Sequence, residues 1–264
     1  MSLVFAAVTP HPPFLLPSLE KDTGDKLSAT KAAFLELEQQ LYLAKPQIIL
    51  IISPHESLFP DAFVVNAYTE FSATFEKFGD LVTKYFWKGT PDFSAKISHV
   101  GNNYSFPIRL VSEKALSYGA SVPLSLLTQH LTDEYKIVPI GYSKLGTKEH
   151  LEFGEMLKEV IMSSDKRVAI IASGDLSHHV NEKSPGGYRE EGKNFDTELI
   201  QLLETRNTLG ISQMNAQMIE KAEECGYRSI LILLGVLKNV DSTFKRLSYE
   251  APFGVGYLTG QFVF

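Results

Sequence analysis

Short apolar runs rich in valine, isoleucine and phenylalanine alternate along this chain with longer stretches whose apolar residues recur every three or four positions. The runs at 4–8, 47–53, 62–67, 136–142 and 167–172 read as strands, and 244–249 with 254–262 as a closing pair. Helical spacing covers 22–44, 150–162, 189–204, 212–224 and 228–238. In the first of these Leu27, Phe34, Leu37 and Leu41 recur at helical spacing, and Lys45-Pro46 ends the helix because proline lacks the donor that would continue it. Strands that alternate with helices predict an α/β fold, a single domain with a central, mostly parallel sheet flanked by helices. Residues 70–130 mix aromatics, glycine and proline with weak periodicity, so short helices and loops are expected there. No internal repeat or linker interrupts the pattern, and one domain over 1–264 is the simplest reading.

Composition narrows the function. The chain has 264 residues, 44% of them hydrophobic, enough for a substantial core, and a formal net charge of −6. Without a Lys/Arg cluster to meet phosphates, nucleic acid is not an expected partner. The opening residues MSLVFAAVTPHPP have no basic start, and no apolar run is long enough to span a bilayer. A cytoplasmic protein with no membrane partner is therefore expected. Cys225 is the single cysteine, which rules out an intrachain disulfide and a zinc site built from thiolates alone.

The candidate chemistry lies in the seven histidines. His11 follows the first strand in Thr9-Pro10-His11-Pro12-Pro13, His55 follows the second in Ser53-Pro54-His55, and His178 follows the strand at 167–172 in Gly174-Asp175-Leu176-Ser177-His178. Ligands of open α/β sheets bind at the carboxyl ends of the strands, so these three imidazoles are placed to converge. One histidine after a strand is more often a hydrogen-bonded loop residue. Three in equivalent positions, two of them braced by proline, point to a shared metal or catalytic site. His99 and His130 fall in weakly patterned sequence and His150 opens a helix, which suggests surface or capping roles. His179 is read as a bystander, since neighbouring side chains of an extended segment point to opposite sides.

Two histidine ligands call for a third, anionic one, and Cys225 and Glu250 are both candidates. Other signals fail. Gly254-Val255-Gly256 opens no helix and is no dinucleotide fingerprint, and no Gly-x-Ser-x-Gly elbow supports a serine hydrolase.

Taken together, His11-Pro12-Pro13, Ser53-Pro54-His55 and Gly174–His178 resemble the class III extradiol ring-cleavage dioxygenases, the LigB-like superfamily. The C-terminal half is closer to the LigB-like domain of the AmmeMemoRadiSam/Memo group. The stretches that carry this likeness are Gly187-Tyr188, Glu224-Cys225-Gly226-Tyr227-Arg228-Ser229, Ser248-Tyr249-Glu250 and Pro252-Phe253-Gly254-Val255-Gly256-Tyr257. The resemblance implies a metal at the strand ends, Fe(II) first, with zinc or copper as alternatives. It assigns His11 and His55 as metal ligands and His178 as the acid–base histidine. The Memo branch adds Cys225 as third ligand, ahead of Glu224 and Glu250. The implied partners are a small catechol-type aromatic with O2, or else a radical-SAM protein and an AmmeMemoRadiSam companion; a homo-oligomer is compatible with both. One departure stands out. Where active relatives show Asp-His-Gly before Val-Pro-Leu, this chain has Ser117-Tyr118-Gly119, so Tyr118 takes the place of the second catalytic histidine.

Overall fold

The computed structural model describes residues 2–20, 24–104, 106–131 and 134–264. Its strands are β1 Leu3–Thr9, β2 Ile48–Ser53, β3 Phe63–Asn66, β4 Glu70–Phe75, β5 Asp80–Lys88, β6 Ile108–Val111, β7 Lys136–Gly141, β8 Val168–Ser173, β9 Thr243–Glu250 and β10 Tyr257–Val263. Its helices are α1 Ser28–Ala44, α2 Pro91–Asn103, α3 Tyr118–Leu127, α4 Thr147–Met162, α5 Glu190–Glu204, α6 Thr208–Ser212, α7 Ala216–Ala222 and α8 Tyr227–Val236.

Eight strands form one mixed sheet in the order β6-β3-β7-β2-β8-β1-β10-β9, and β4 with β5 makes a separate hairpin. The central neighbours β7, β2, β8 and β1 run parallel, while β10 and β9 close the β1 edge antiparallel. The sequences IILIIS and VAIIAS of β2 and β8 are buried at every position. Unbroken apolar runs of that kind suit strands covered on both faces. Alternate residues serve the two sides. Leu50, Ile52 and Ile170 join a core with Phe153, Leu157 and Ile230, beneath α4 and α8. Ile49, Ile51 and Ile171 pack with Phe34, Leu37, Leu41 and Leu124 of α1 and α3.

The α/β expectation holds, and three local readings change. The region 70–130 contains more strand than expected. In β4, Phe71, Ala73 and Phe75 are buried between the more open Glu70, Ser72 and Thr74, a period-two signal confined to one short strand. The helix expected over 212–224 is shorter: α6 ends at Ser212, and only α7, Ala216–Ala222, lies inside that range. The Asn215 side chain accepts from the Gln217 and Met218 N–H groups and starts α7 afresh. His150 is neither at the surface nor a cap. It is fully buried within α4, with Nδ1 2.7 Å from Gly146 O and its ring edge-on to Phe63. The Asp22 start expected for the first helix lies outside the described residues, and α1 itself begins at Ser28.

α8 crosses α4 at unusually close range. A Cβ on Gly154 would lie 2.1 Å from Ile232 O and 2.8 Å from Gly235 Cα, so only glycine fits on both sides of the crossing.

Candidate metal centre

β2, β8 and β1 are neighbours in the sheet, and Thr9 of β1 pairs with Ser173 of β8 at their carboxyl ends. The turns that leave these three strands therefore start side by side. After β1, Pro10-His11-Pro12 turns His11 into the interior, where it is 1% exposed. Its backbone N–H donates to Asp175 Oδ1 at 2.9 Å. Its Nδ1 lies 2.9 Å from Ser173 Oγ, whose own hydroxyl donates to Gly119 O. With that hydroxyl hydrogen engaged, Ser173 Oγ accepts from His11 Nδ1–H, and Nε2 keeps its lone pair. Metal-binding histidines have their tautomer set in the same way. Burial, and then the charge of His178, drops the His11 pKa to about 3, so the ring is neutral at physiological pH.

His55 follows β2. Its Nε2 lies 3.2 Å from His11 Nε2 and 2.7 Å from the Tyr118 phenol oxygen. Burial, followed by His11, holds it down at about 4. Gly119 makes room for it, since a Cβ there would stand 2.6 Å from Ser53 Oγ and 2.9 Å from His55 Cδ2.

Cys225 arrives from the other side, in the loop between α7 and α8. Its Sγ lies 3.7 Å from His11 Nε2 and accepts the Asp175 N–H at 3.2 Å. The Cys225 and Gly226 N–H groups both donate to Asp175 O, at 3.2 and 2.9 Å. Burial, reinforced by the charges of Asp175 and Glu224, pushes the thiol pKa up in the absence of an ion.

Ligand atoms of His11, His55 and Cys225 all lie within 4.8 Å of one another. Metal–nitrogen bonds of about 2.05 Å and metal–sulfur bonds of about 2.3 Å at tetrahedral angles require N–N and N–S separations of roughly 3.4 and 3.6 Å. The observed 3.2 and 3.7 Å agree with that. The donor set thus fits a divalent metal.

The two carboxylates weighed as third ligands are engaged elsewhere. Glu224 accepts from the Tyr227 N–H at the start of α8, and burial raises its pKa to about 7. Glu250 accepts from the Thr30 N–H at 2.8 Å and the Thr30 hydroxyl at 2.6 Å in the first turn of α1. His178 is half-buried beside the cluster, close enough for its charge to act on His11, His55 and Asp175. Its buried Nδ1 has no partner among the described residues. His179 turns away, with Nδ1 2.7 Å from Gly187 O and Nε2 3.0 Å from Glu223. Tyr118 stacks on His55 at 4.4 Å and meets Phe78 edge-on at 5.3 Å, and burial lifts its pKa to about 12. The sequence reading missed Asp175 and Ser173, which set the position and tautomer of His11. The available signal was a polar residue closing each apolar strand: Thr9, Ser53 and Ser173.

The arrangement defines a mixed-sheet α/β domain with a His/His/Cys cluster at the carboxyl ends of parallel strands. The family model for the catalytic LigB subunit of aromatic ring-opening dioxygenase matches residues 5–260, and the chain belongs to that family. Protein CA_C1420 of Clostridium acetobutylicum is 30% identical over 266 residues, covering 97% of this chain and 57% of that protein. A MEMO1 family protein of Methanosarcina mazei is 28% identical over 138 residues, 52% of this chain and 48% of its own length. The chain thus spans about half the length of the curated relatives it matches. In structure it is similar to the uncharacterized protein JW3007 of Escherichia coli K12, with a TM-score of 0.69 at 16% identity over 98% of this chain and 99% of that one. That likeness concerns the fold. Among the described residues no helix is long and apolar enough to cross a membrane.

Proposed function

We propose that the chain is a cytoplasmic metal-dependent oxidoreductase that opens a catechol-type aromatic ring with O2, Fe(II) being held by His11, His55 and Cys225. The observation that carries this reading is the convergence of three neutral or thiol ligand atoms within 4.8 Å, with His178 beside them. A bound Fe(II) supplies Lewis-acid polarisation and a template for both reactants. The protein's own groups do the rest. His178, half-buried beside the ligands, takes the proton of a substrate hydroxyl, a task for which imidazole is suited. Asp175 fixes His11 through its backbone N–H and Cys225 through its own N–H and carbonyl. Tyr118 and Phe78 pack against one side of the ligands. Phe14, 42% exposed and packed on Phe253, offers an aromatic surface three residues after His11.

A second reading is favoured by the likeness to MEMO1 family proteins and by the thiol in the ligand set, which is softer and more oxidisable than the carboxylate of the dioxygenases. In it the chain is a Memo-like metal-binding protein that works with a radical-SAM partner and an AmmeMemoRadiSam companion, with zinc or copper as alternative metals.

Oxygen uptake by Fe(II)-loaded protein, measured across a set of catechols, separates the two. Uptake that requires a catechol and is lost in His178→Ala supports the oxidoreductase. Full metal content with no uptake for any diol moves the assignment to the metal-binding partner.

A further inference from the structure

We infer that Tyr118 is a fourth protein ligand of the bound metal. The inference rests on the metal-site reading above and adds to it. Two features of the structure point to it. First, the phenol oxygen is 2.7 Å from His55 Nε2, which is itself 3.2 Å from His11 Nε2, so the oxygen stands against the ligand cluster as a cis ligand would. Second, the ring is fixed in that place. It stacks on His55 at 23° between planes, stands edge-on to His11 at 5.3 Å and is backed by Phe78. Its backbone is held as well: Tyr118 is the first residue of the ten-residue helix α3, whose N-cap Ser117 accepts the Ala120 N–H at 3.3 Å.

Phenolate is a hard oxygen donor and a known ligand type for ferric iron, as in haem proteins with an axial tyrosine. On binding, the O–metal bond replaces the O–H bond and the proton leaves to solvent; nothing is oxidised or reduced.

The test uses the intact chain loaded with Fe(III), examined by metal analysis, visible absorption and resonance Raman spectroscopy. The expected result is a stoichiometric ion, a visible charge-transfer band and enhanced tyrosinate ring modes. Those modes shift when the protein is grown on ring-deuterated tyrosine, and they vanish in Tyr118→Phe while Cys225→Ser retains them. The isotope shift is read on the wild-type chain, so the test stands even where a variant folds poorly. Bound iron without tyrosinate modes overturns the ligand role of Tyr118 and leaves the His/His/Cys site intact. A wild-type chain that binds no metal overturns both.

Discussion

The backbones of Gly174 and Gly226 touch: a Cβ on Gly174 would lie 2.1 Å from Gly226 Cα and 3.1 Å from Cys225 O. This contact joins the turn after β8 to the loop before α8 and so sets how near Cys225 comes to His11. Gly174→Ala has no flexible neighbour to push aside and must separate the two backbones. We expect a destabilisation of about 1–3 kcal/mol, typical of overpacking, together with loss of bound metal. Denaturant unfolding and metal analysis on the same preparation measure both. Unchanged metal content would mean that the Cys225 loop does not depend on this contact.

Ser173→Ala acts without bulk. It removes the acceptor of His11 Nδ1–H and with it the constraint on the His11 tautomer. Loss of such an orienting partner lowers metal affinity by about 10–100-fold, to be read by competition with a chelator of known affinity. A change smaller than twofold would show that packing alone orients the ring.

Glu250 supplies the opposite control. Its carboxylate accepts two hydrogen bonds from Thr30 and secures the start of α1. Glu250→Ala should lower stability by about 1 kcal/mol, as the loss of a helix cap does, with metal content unchanged. Loss of metal instead would return Glu250 to the ligand set.

Much of this arrangement is legible in the chain, for physical reasons that differ by residue. β2 and β8 are read easily because a strand buried on both faces has no polar alternation to confuse it. His11, His55 and His178 are read as a group because each follows an apolar run. Cys225 stands out by family resemblance, not by periodicity. Asp175 and Ser173 stay hidden because their work depends on strand register, such as the pairing of Thr9 with Ser173, which sequence spacing does not express. The β4–β5 hairpin is obscured for a different reason. β5 exposes most of its residues, and its pattern lacks the contrast of a half-buried strand.

Asp196 makes stability depend on pH. Its carboxyl is buried, accepts the Ser177 N–H at 2.8 Å and the Tyr249 hydroxyl at 2.6 Å, and is pushed up to about 7, chiefly by burial. An unfolded aspartate titrates near 3.9, so between these values the folded state holds the extra proton. That contribution is fully present below about pH 4 and is lost as pH rises through about 7. Asn in its place still accepts from Ser177 but does not titrate. The unfolding midpoint of Asp196→Asn relative to wild type should therefore improve steadily from pH 4 to 7 and level off above it. A gap independent of pH would show that Asp196 is ionised throughout.

The crossing of Gly154 with Gly235 has a reach beyond its own neighbourhood. Gly235 lies near the end of α8 opposite the loop that carries Cys225, about two turns of rigid helix away. The glycine pair acts as a fulcrum, and the helix as the arm of a lever with the sulfur at its tip. A methyl group added at the fulcrum would tilt the arm and move the sulfur by a comparable distance, although no atom near the metal centre had been altered. Residues remote from the chemistry can thus set the ligand geometry, and variation at 154 or 235 would retune the centre from the other end of α8.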